Sequence, residues 1–310
     1  MMHFHFSVAV ALATLLRVAN AQAGPNTLAV YNPANRTTST NSTYCILPVP
    51  KAIIEKITKG YKPLDVPTDI LPAFPAGMHP LIVEGGYQID IRMTALNLAP
   101  LQIPSLMQGA ILVPFADVSK DGKTPFNVPV NYYIGGTSGN DLAALVPAIV
   151  GAVPLFEGTV IAPAQMVPDT AAVQSLPGGL YSFQVKPLIL PNPVSGPGVV
   201  GEAFDLIYSL TSTSPYTAHT FHSLLNNPQL LDNGMCQRQS LYFNETFAYP
   251  KMAVGNITLY NQPLLNTPPK EIAGTYTNVY CYQANAELVA SYIGETCPIA
   301  AARSSPSARE

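Results

Sequence analysis

The sequence predicts a mainly β, α+β domain: an antiparallel barrel or sandwich with a few peripheral helices. Thirty-one prolines are spread through the 310 residues. Proline lacks the N–H that a helix interior or a sheet ladder requires, so long helices are excluded and short strands with irregular loops are favoured. Runs rich in aromatic and β-branched residues recur at Leu81–Glu84, Tyr87–Met93, Gly109–Phe115, Pro129–Ile134, Thr159–Ala162, Leu180–Val185, Phe204–Leu210, Leu241–Phe247, Asn256–Tyr260 and Thr275–Tyr282. They do not alternate with helical patterns, which argues against a parallel βαβ sheet.

The chain opens MMHFHFSVAVALATLLRVANAQAG. An apolar run from Phe6 to Leu16 is followed by Ala19, Asn20 and Ala21 in signal-peptidase spacing, so residues 1–21 read as a signal peptide and Gln22 as the mature start. His3 and His5 stand where Lys or Arg is usual. The run is shorter than the roughly 20 residues a membrane span needs. Residues 22–44, rich in Asn, Thr and Ser, read as a flexible polar leader that Cys45 anchors. Residues 45–300 read as a single β-barrel domain and 301–310 as a disordered tail. Pro50, then Ala52, Ile53, Ile54 and Ile57 on one face before Gly60, predict a short helix. A second is expected over Leu142–Val150, capped by Asn140 or Asp141, and a third from Asn285 to Tyr292. Lys120-Asp121-Gly122-Lys123 predicts an exposed hairpin turn, with Asp117 and the lysines structural.

Asn-x-Ser/Thr sequons at Asn35, Asn41, Asn244 and Asn256 fit a secreted glycoprotein. The four cysteines, Cys45, Cys236, Cys281 and Cys297, are expected to pair as disulfides in an oxidising compartment, with three connectivities open. Only 11% of residues are charged and the net charge is −3. No basic stripe offers the phosphate neutralisation that nucleic-acid binding needs, and no later segment reaches membrane-span length. A soluble protein of the secretory pathway is expected, with a small molecule as partner, no nucleic acid, no membrane and no metal.

Hydrolase chemistry finds no support: there is no Gly-x-Ser-x-Gly elbow, and His79, His219 and His222 lie in turns or loops without a serine motif. His79 reads as a turn residue. His219 and His222, three apart, lack a third metal ligand. The stretch GYQIDIRM alternates with period two, and Glu84, Asp90 and Arg92 lie on what read as two adjacent strands. A carboxylate and a guanidinium sharing a polar lumen would recognise a substrate carboxylate or carbonyl; on an outer face they form a solvated ion pair. Tyr132 and Tyr133 point to opposite faces, so one of them can line a cavity.

Several stretches together resemble the acetoacetate decarboxylase-like superfamily: CILPVPKAIIEKITKGY, FPAGMHPLIVEGGYQIDIRM, LVPFADVSKDGKTPFNVPVNYYIGG, and DLAALVPAIVG leading into GTVIAP. The resemblance implies a closed antiparallel β-barrel with a few peripheral helices around a small apolar cavity. It implies a lysine kept neutral by burial that forms a Schiff base with a β-keto acid. This chain departs there, because no lysine lies between Lys123 and Lys186. Lys186, in YSFQVKPLIL, is the strand lysine that could substitute, and Glu84 and Arg92 match the family's cavity carboxylate and guanidinium.

The reading that follows is a secreted, fungal-type, cofactor-independent enzyme acting on a small carbonyl or carboxylate metabolite by lyase or isomerase chemistry, as in secondary metabolism. Arg92 would hold the carboxylate, Glu84 or Asp90 would move a proton, and Tyr133 or Gln165 would orient the carbonyl. A non-catalytic barrel that binds a small apolar ligand is the alternative.

Overall fold

The computed structural model describes residues 24–95, 99–137, 161–189, 199–243, 247–262 and 265–304. Nine strands form the framework: β1 (Asn35–Pro50), β2 (Met78–Ala95), β3 (Ala99–Ala116), β4 (Phe126–Gly135), β5 (Ile161–Val167), β6 (Leu180–Ile189), β7 (Phe204–Leu210), β8 (Lys251–Leu259) and β9 (Gly274–Ser291). Each pairs with its neighbour in sequence, and β9 pairs back onto β1, so the sheet closes into a barrel. An odd number of strands cannot alternate in direction around a closed ring. One pair must run parallel, and it is β4 with β5; the others are antiparallel.

Large side chains fill the barrel. Phe183, Val185, Phe204, Leu206 and Tyr208 on β6 and β7 meet Leu81, Val83, Met107 and Ile111 from the opposite wall. A Cβ on Gly85 would lie 2.4 Å from Phe183, so glycine there is what lets the two walls approach. Tyr208 Oη and Thr43 Oγ1 bridge the interior at 2.8 Å. Among the described residues the barrel interior is lined by these buried apolar side chains.

The other face of β9, β1, β2, β3 and β4 is covered as well. Helix α2 (Ala218–Leu225) lays Phe221, Leu224 and Leu225 on Tyr44, Ile46, Ile82, Ala110, Leu112 and Tyr282. Thr217 caps it reciprocally with Thr220. Helix α1 (Lys51–Ile57) is the one read from Pro50, with Ile54 buried and Gly60 stopping it at φ +95. The connection after β3 contains the expected turn, where Asp121 accepts from the backbone of Lys123 and Thr124 at 2.9 and 2.8 Å.

Several expectations are corrected. Residues 35–44 are not a loose leader; they are the first half of β1, with Thr37–Thr43 buried between β2 and β9. Leu81–Glu84 and Tyr87–Met93 are one continuous strand, β2, whose Gly85 and Gly86 mark close approach rather than a turn. Asn285–Tyr292 is no helix: β9 runs through Ser291, its alanines 284, 286 and 290 buried against neighbours. The tail begins later than expected, because helix α3 (Cys297–Ser304) continues past residue 300. The signal segment and the helix over Leu142–Val150 lie outside the described residues.

Cys45 pairs with Cys281 across the β1–β9 seam, and Cys236 with Cys297 at the start of α3. Both bridges are what an oxidising compartment produces. Among the described residues no helix is long and apolar enough to cross a membrane. Asn256 is exposed and Asn35 half-buried. Asn41 is only 7% exposed, in a central strand. Asn244 lies outside the described residues.

The bridges close loops of 236 and 61 residues of sequence separation. Because loop-closure entropy grows with the logarithm of length, the double variant C45A/C281A is expected to lose about 1 kcal/mol more unfolding free energy than C236A/C297A. Denaturant titration of the two variants measures the difference.

Candidate functional site

The register across the seam sets one row of side chains on the outer face: Tyr282 on β9, Tyr44 on β1, Glu84 on β2, Ala110 on β3 and Tyr132 on β4. One pleat along, the same strands carry Ala284, Ser42, Gly86, Gln108 and Ile134. Glu84 is 7% exposed. Burial pushes its carboxyl from the ordinary 4.5 up to about 7, against the pull of hydrogen bonds from Ser42 and Gln108.

Each of those two donors is itself supported. Gln88 donates to the Gln108 side-chain oxygen, which turns the Gln108 amide nitrogen toward Glu84. Thr40 Oγ1 lies 2.7 Å from Ser42 Oγ. Gly86 makes this possible, since a Cβ there would sit 2.1 Å from Ser42 Oγ. Two short hydrogen-bonded chains, one from β1 and one from β2 and β3, thus converge on one acid.

Tyrosines flank the carboxyl. Tyr44 is 1% exposed, and its hydroxyl lies beside Ser42 without a well-formed hydrogen bond. Burial, then the neighbouring Glu84 charge, raises its ionisation well above the usual range. Tyr132 is raised in the same order of causes, with the Arg36 guanidinium opposing. Arg36, near the start of β1, is half-buried, and desolvation lowers its own pKa. Ile91, Met93, Ile103, Leu106 and Ile134 supply an adjacent apolar wall. A buried acid, phenols, amides and a guanidinium thus share one face of the sheet with an apolar wall.

Glu84 is sheltered, whereas Arg92, the guanidinium that the sequence set beside it, turns elsewhere. Against β1, β2 carries an extra residue: Thr37 stands opposite Arg92, yet Ser39 stands opposite Ile89. The bulge falls at Asp90, whose φ is +49. It inverts the alternation, so Ile91 and Met93 turn to the wall beside Leu106 while Arg92 turns away. The Arg92 side chain is 50% exposed and bound to Asp90 at 2.8 Å. Asp90 is held below its ordinary value, by Arg92 first, and is no proton carrier for this site.

The remaining candidates are also placed elsewhere. Tyr133 is fully buried inside the barrel, its ring 6.0 Å from Phe204, and its hydroxyl has no partner among the described residues. Its neighbour Tyr132 is the one that faces the site. Lys186 lies on the outside of β6, 3.3 Å from Glu202, with Gln165 of β5 as its cross-strand partner. Nothing brings either to Glu84. Every lysine of the chain is described and none is buried, so the expected Schiff-base residue has no counterpart among the described side chains. His79 is structural: it is 1% exposed, its Nε2 is 2.7 Å from the Pro114 carbonyl, and burial lowers it to about 4. No group of three metal-ligating side chains exists among the described residues.

No protein-family model matches the chain, and no curated protein does. Seven solved chains are similar in fold. The enduracididine biosynthesis enzyme MppR, complexed with the condensation product of pyruvate and imidazole 4-carboxaldehyde, is 10% identical over 84% of this chain and 88% of its own, with a TM-score of 0.45. MppR complexed with pyruvate is 8% identical over 84% and 89%, also at 0.45. An acetoacetate decarboxylase-like enzyme from Sphingomonas wittichii RW1 is 8% identical over 84% and 92%, at 0.44.

Glu84 makes stability fall with pH. Its folded pKa lies above its unfolded one, so the native state holds a proton that the unfolded chain has lost. The native state is therefore favoured most below about pH 4.5 by this group and loses that advantage as pH rises through about 7. Relative to Glu84→Gln, the wild type is expected to lose about 3 kcal/mol over that window. Denaturant midpoints of the two proteins at each pH measure it. Arg92→Ala is expected to leave the denaturant midpoint essentially unchanged, as for other exposed pairs.

Proposed function

We propose that the Glu84 cluster is the acid–base centre of an enzyme that moves a proton on a small carbonyl compound bearing a carboxylate. The observation that supports this most is a fully enclosed carboxyl brought to about 7 by burial while two supported donors point at it. A group half-protonated near neutral pH can both give and take a proton, which is what enolisation at a carbonyl demands. Arg36 is the cation placed to meet the substrate carboxylate, and Tyr132, between Arg36 and Glu84 electrostatically, is the donor placed to meet the carbonyl oxygen.

Isomerisation fits this arrangement better than imine decarboxylation. Loss of CO₂ leaves an electron pair that needs a sink, and no lysine is enclosed to provide an iminium. Proton transfer needs only an acid, a base and a donor at the oxygen. The disulfides favour action outside the reducing cytosol, in a secreted protein.

The lack of an enclosed lysine also supports the second reading, a non-catalytic container for the same class of ligand. A panel of small keto acids, followed by solvent deuterium incorporation at the carbon beside the carbonyl, separates the two. The enzyme reading expects exchange that Glu84→Gln lowers at least about 100-fold, within the range of general acid–base effects. Binding without exchange makes the protein a container. A borohydride-trapped adduct on Lys186 would restore the imine route instead.

A further inference from the structure

A cavity of about 600 Å³ opens where the first residue of β1 meets the last of β9. Asn35 and Ser291 are cross-strand partners there, and both line it. Arg238 lines it beside them. The Ser291 backbone N–H donates to the Arg238 carbonyl at 2.9 Å, and the Arg238 backbone N–H donates to Ser291 Oγ at 3.1 Å. The segment that follows β9 adds Tyr292, Ile293 and Glu295. None of these residues belongs to the Glu84 cluster.

The Arg238 guanidinium is held from one side. Its Nε donates to the two Glu295 carboxylate oxygens at 3.1 and 3.0 Å, whereas its Nη groups make no hydrogen bond among the described residues. The side chain is 31% exposed. Arg303, from the last turn of α3, binds the same carboxylate at 3.2 Å. Two guanidinium groups therefore share one carboxylate, and the cluster keeps a net positive charge. No other acidic side chain lines the cavity among the described residues.

The frame around Arg238 is tied down. Cys236 and Glu295 exchange backbone hydrogen bonds at 2.8 and 2.7 Å, and the Cys236–Cys297 bridge closes the same junction. A planar donor fork that is already positioned loses little freedom when it meets a ligand. Ile293, 68% exposed, offers an apolar surface on the cavity wall.

We infer that this cavity is a second ligand site, for a small monocarboxylate with an apolar body. The ligand carboxylate pairs with the Nη groups of Arg238 and accepts the Ser291 hydroxyl proton, which the Arg238 backbone N–H leaves free to donate. The apolar body lies on Ile293 and Tyr292. A carboxylate suits the site because its two oxygens match the planar fork and its single charge matches the charge that Glu295 leaves over. The site stands whether or not Glu84 moves protons.

The test is a titration of the disulfide-bonded protein with phenylacetate, followed by the ¹³C-labelled methyl groups of isoleucine, with Ile293 assigned by its loss in Ile293→Val. The Ile293 methyl is expected to shift and saturate. Phenylacetamide, which has the same shape without the charge, is expected to bind the wild type about tenfold more weakly or worse, and Arg238→Gln is expected to lose about tenfold or more in phenylacetate affinity. The amide comparison uses the wild type, so it decides the matter even where Arg238→Gln does not fold. An Ile293 methyl that phenylacetate does not move, or a phenylacetamide affinity equal to that of phenylacetate, overturns the site. Unchanged affinity in folded Arg238→Gln overturns it as well. Shifts at Ile91 and Ile103 without one at Ile293 place the carboxylate at the Glu84 cluster instead, and so overturn this inference while supporting the proposed function.

Discussion

The pairing of the first strand with the last is the constraint on which the rest depends. β1 lies between β2 and β9, and its register puts Tyr44 opposite both Glu84 and Tyr282. The adjoining residues, Cys45 and Cys281, are joined covalently, so the seam cannot slip by one residue without breaking the bridge. A slip by one would turn every side chain to the other face of the sheet. Glu84 would then face Phe183 and Phe204 in the apolar core, away from Ser42 and Gln108. The disulfide therefore guards the site as well as the fold.

The same seam explains why the polar residues of β1 are not solvent-facing. Alternate residues serve two different enclosed layers. Thr43 closes a hydrogen bond across the apolar interior to Tyr208, while Ser42 and Thr40 turn the other way and support Glu84. Hydroxyl side chains are cheap to bury when each finds a partner, and they leave room that larger residues would fill. Gly86 extends that logic by leaving space for the Ser42 hydroxyl. The acid is thus desolvated enough to hold its proton near neutrality and hydrogen-bonded enough to release it.

Much of the framework was legible in the sequence, and the errors have physical causes. Proline density and β-branched runs marked an antiparallel barrel or sandwich, and Pro50 and Gly60 bracketed α1. Asp121 and Gly122 marked the turn that the structure contains. Residues 35–44 read as a leader because Asn, Ser and Thr usually mean loop. The missed signal was β-branched threonine at 37, 38, 40 and 43, which favours a strand whose two faces are both hydrogen-bonded. That error hid Arg36, Thr40 and Ser42 from the site. Arg92 turns away from Glu84 for a different reason: period-two counting holds only while the strand is regular, and a bulge at Asp90 is a tertiary event with no glycine to announce it. Tyr132 and Tyr133 were rightly set on opposite faces, but which face held the site depended on contacts from distant strands.

The account stands on the protonation state of one carboxyl group. The most direct measurement is the ¹³C chemical shift of the Glu84 carboxyl in protein labelled at glutamate, assigned by its absence in Glu84→Gln and followed from pH 4 to 9. The account predicts a single titration centred near 7. A midpoint near 4.5, the value of a glutamate in water, would contradict it, because Glu84 would then be an ordinary carboxylate and the buried hydrogen-bonded cluster would have no acid to serve.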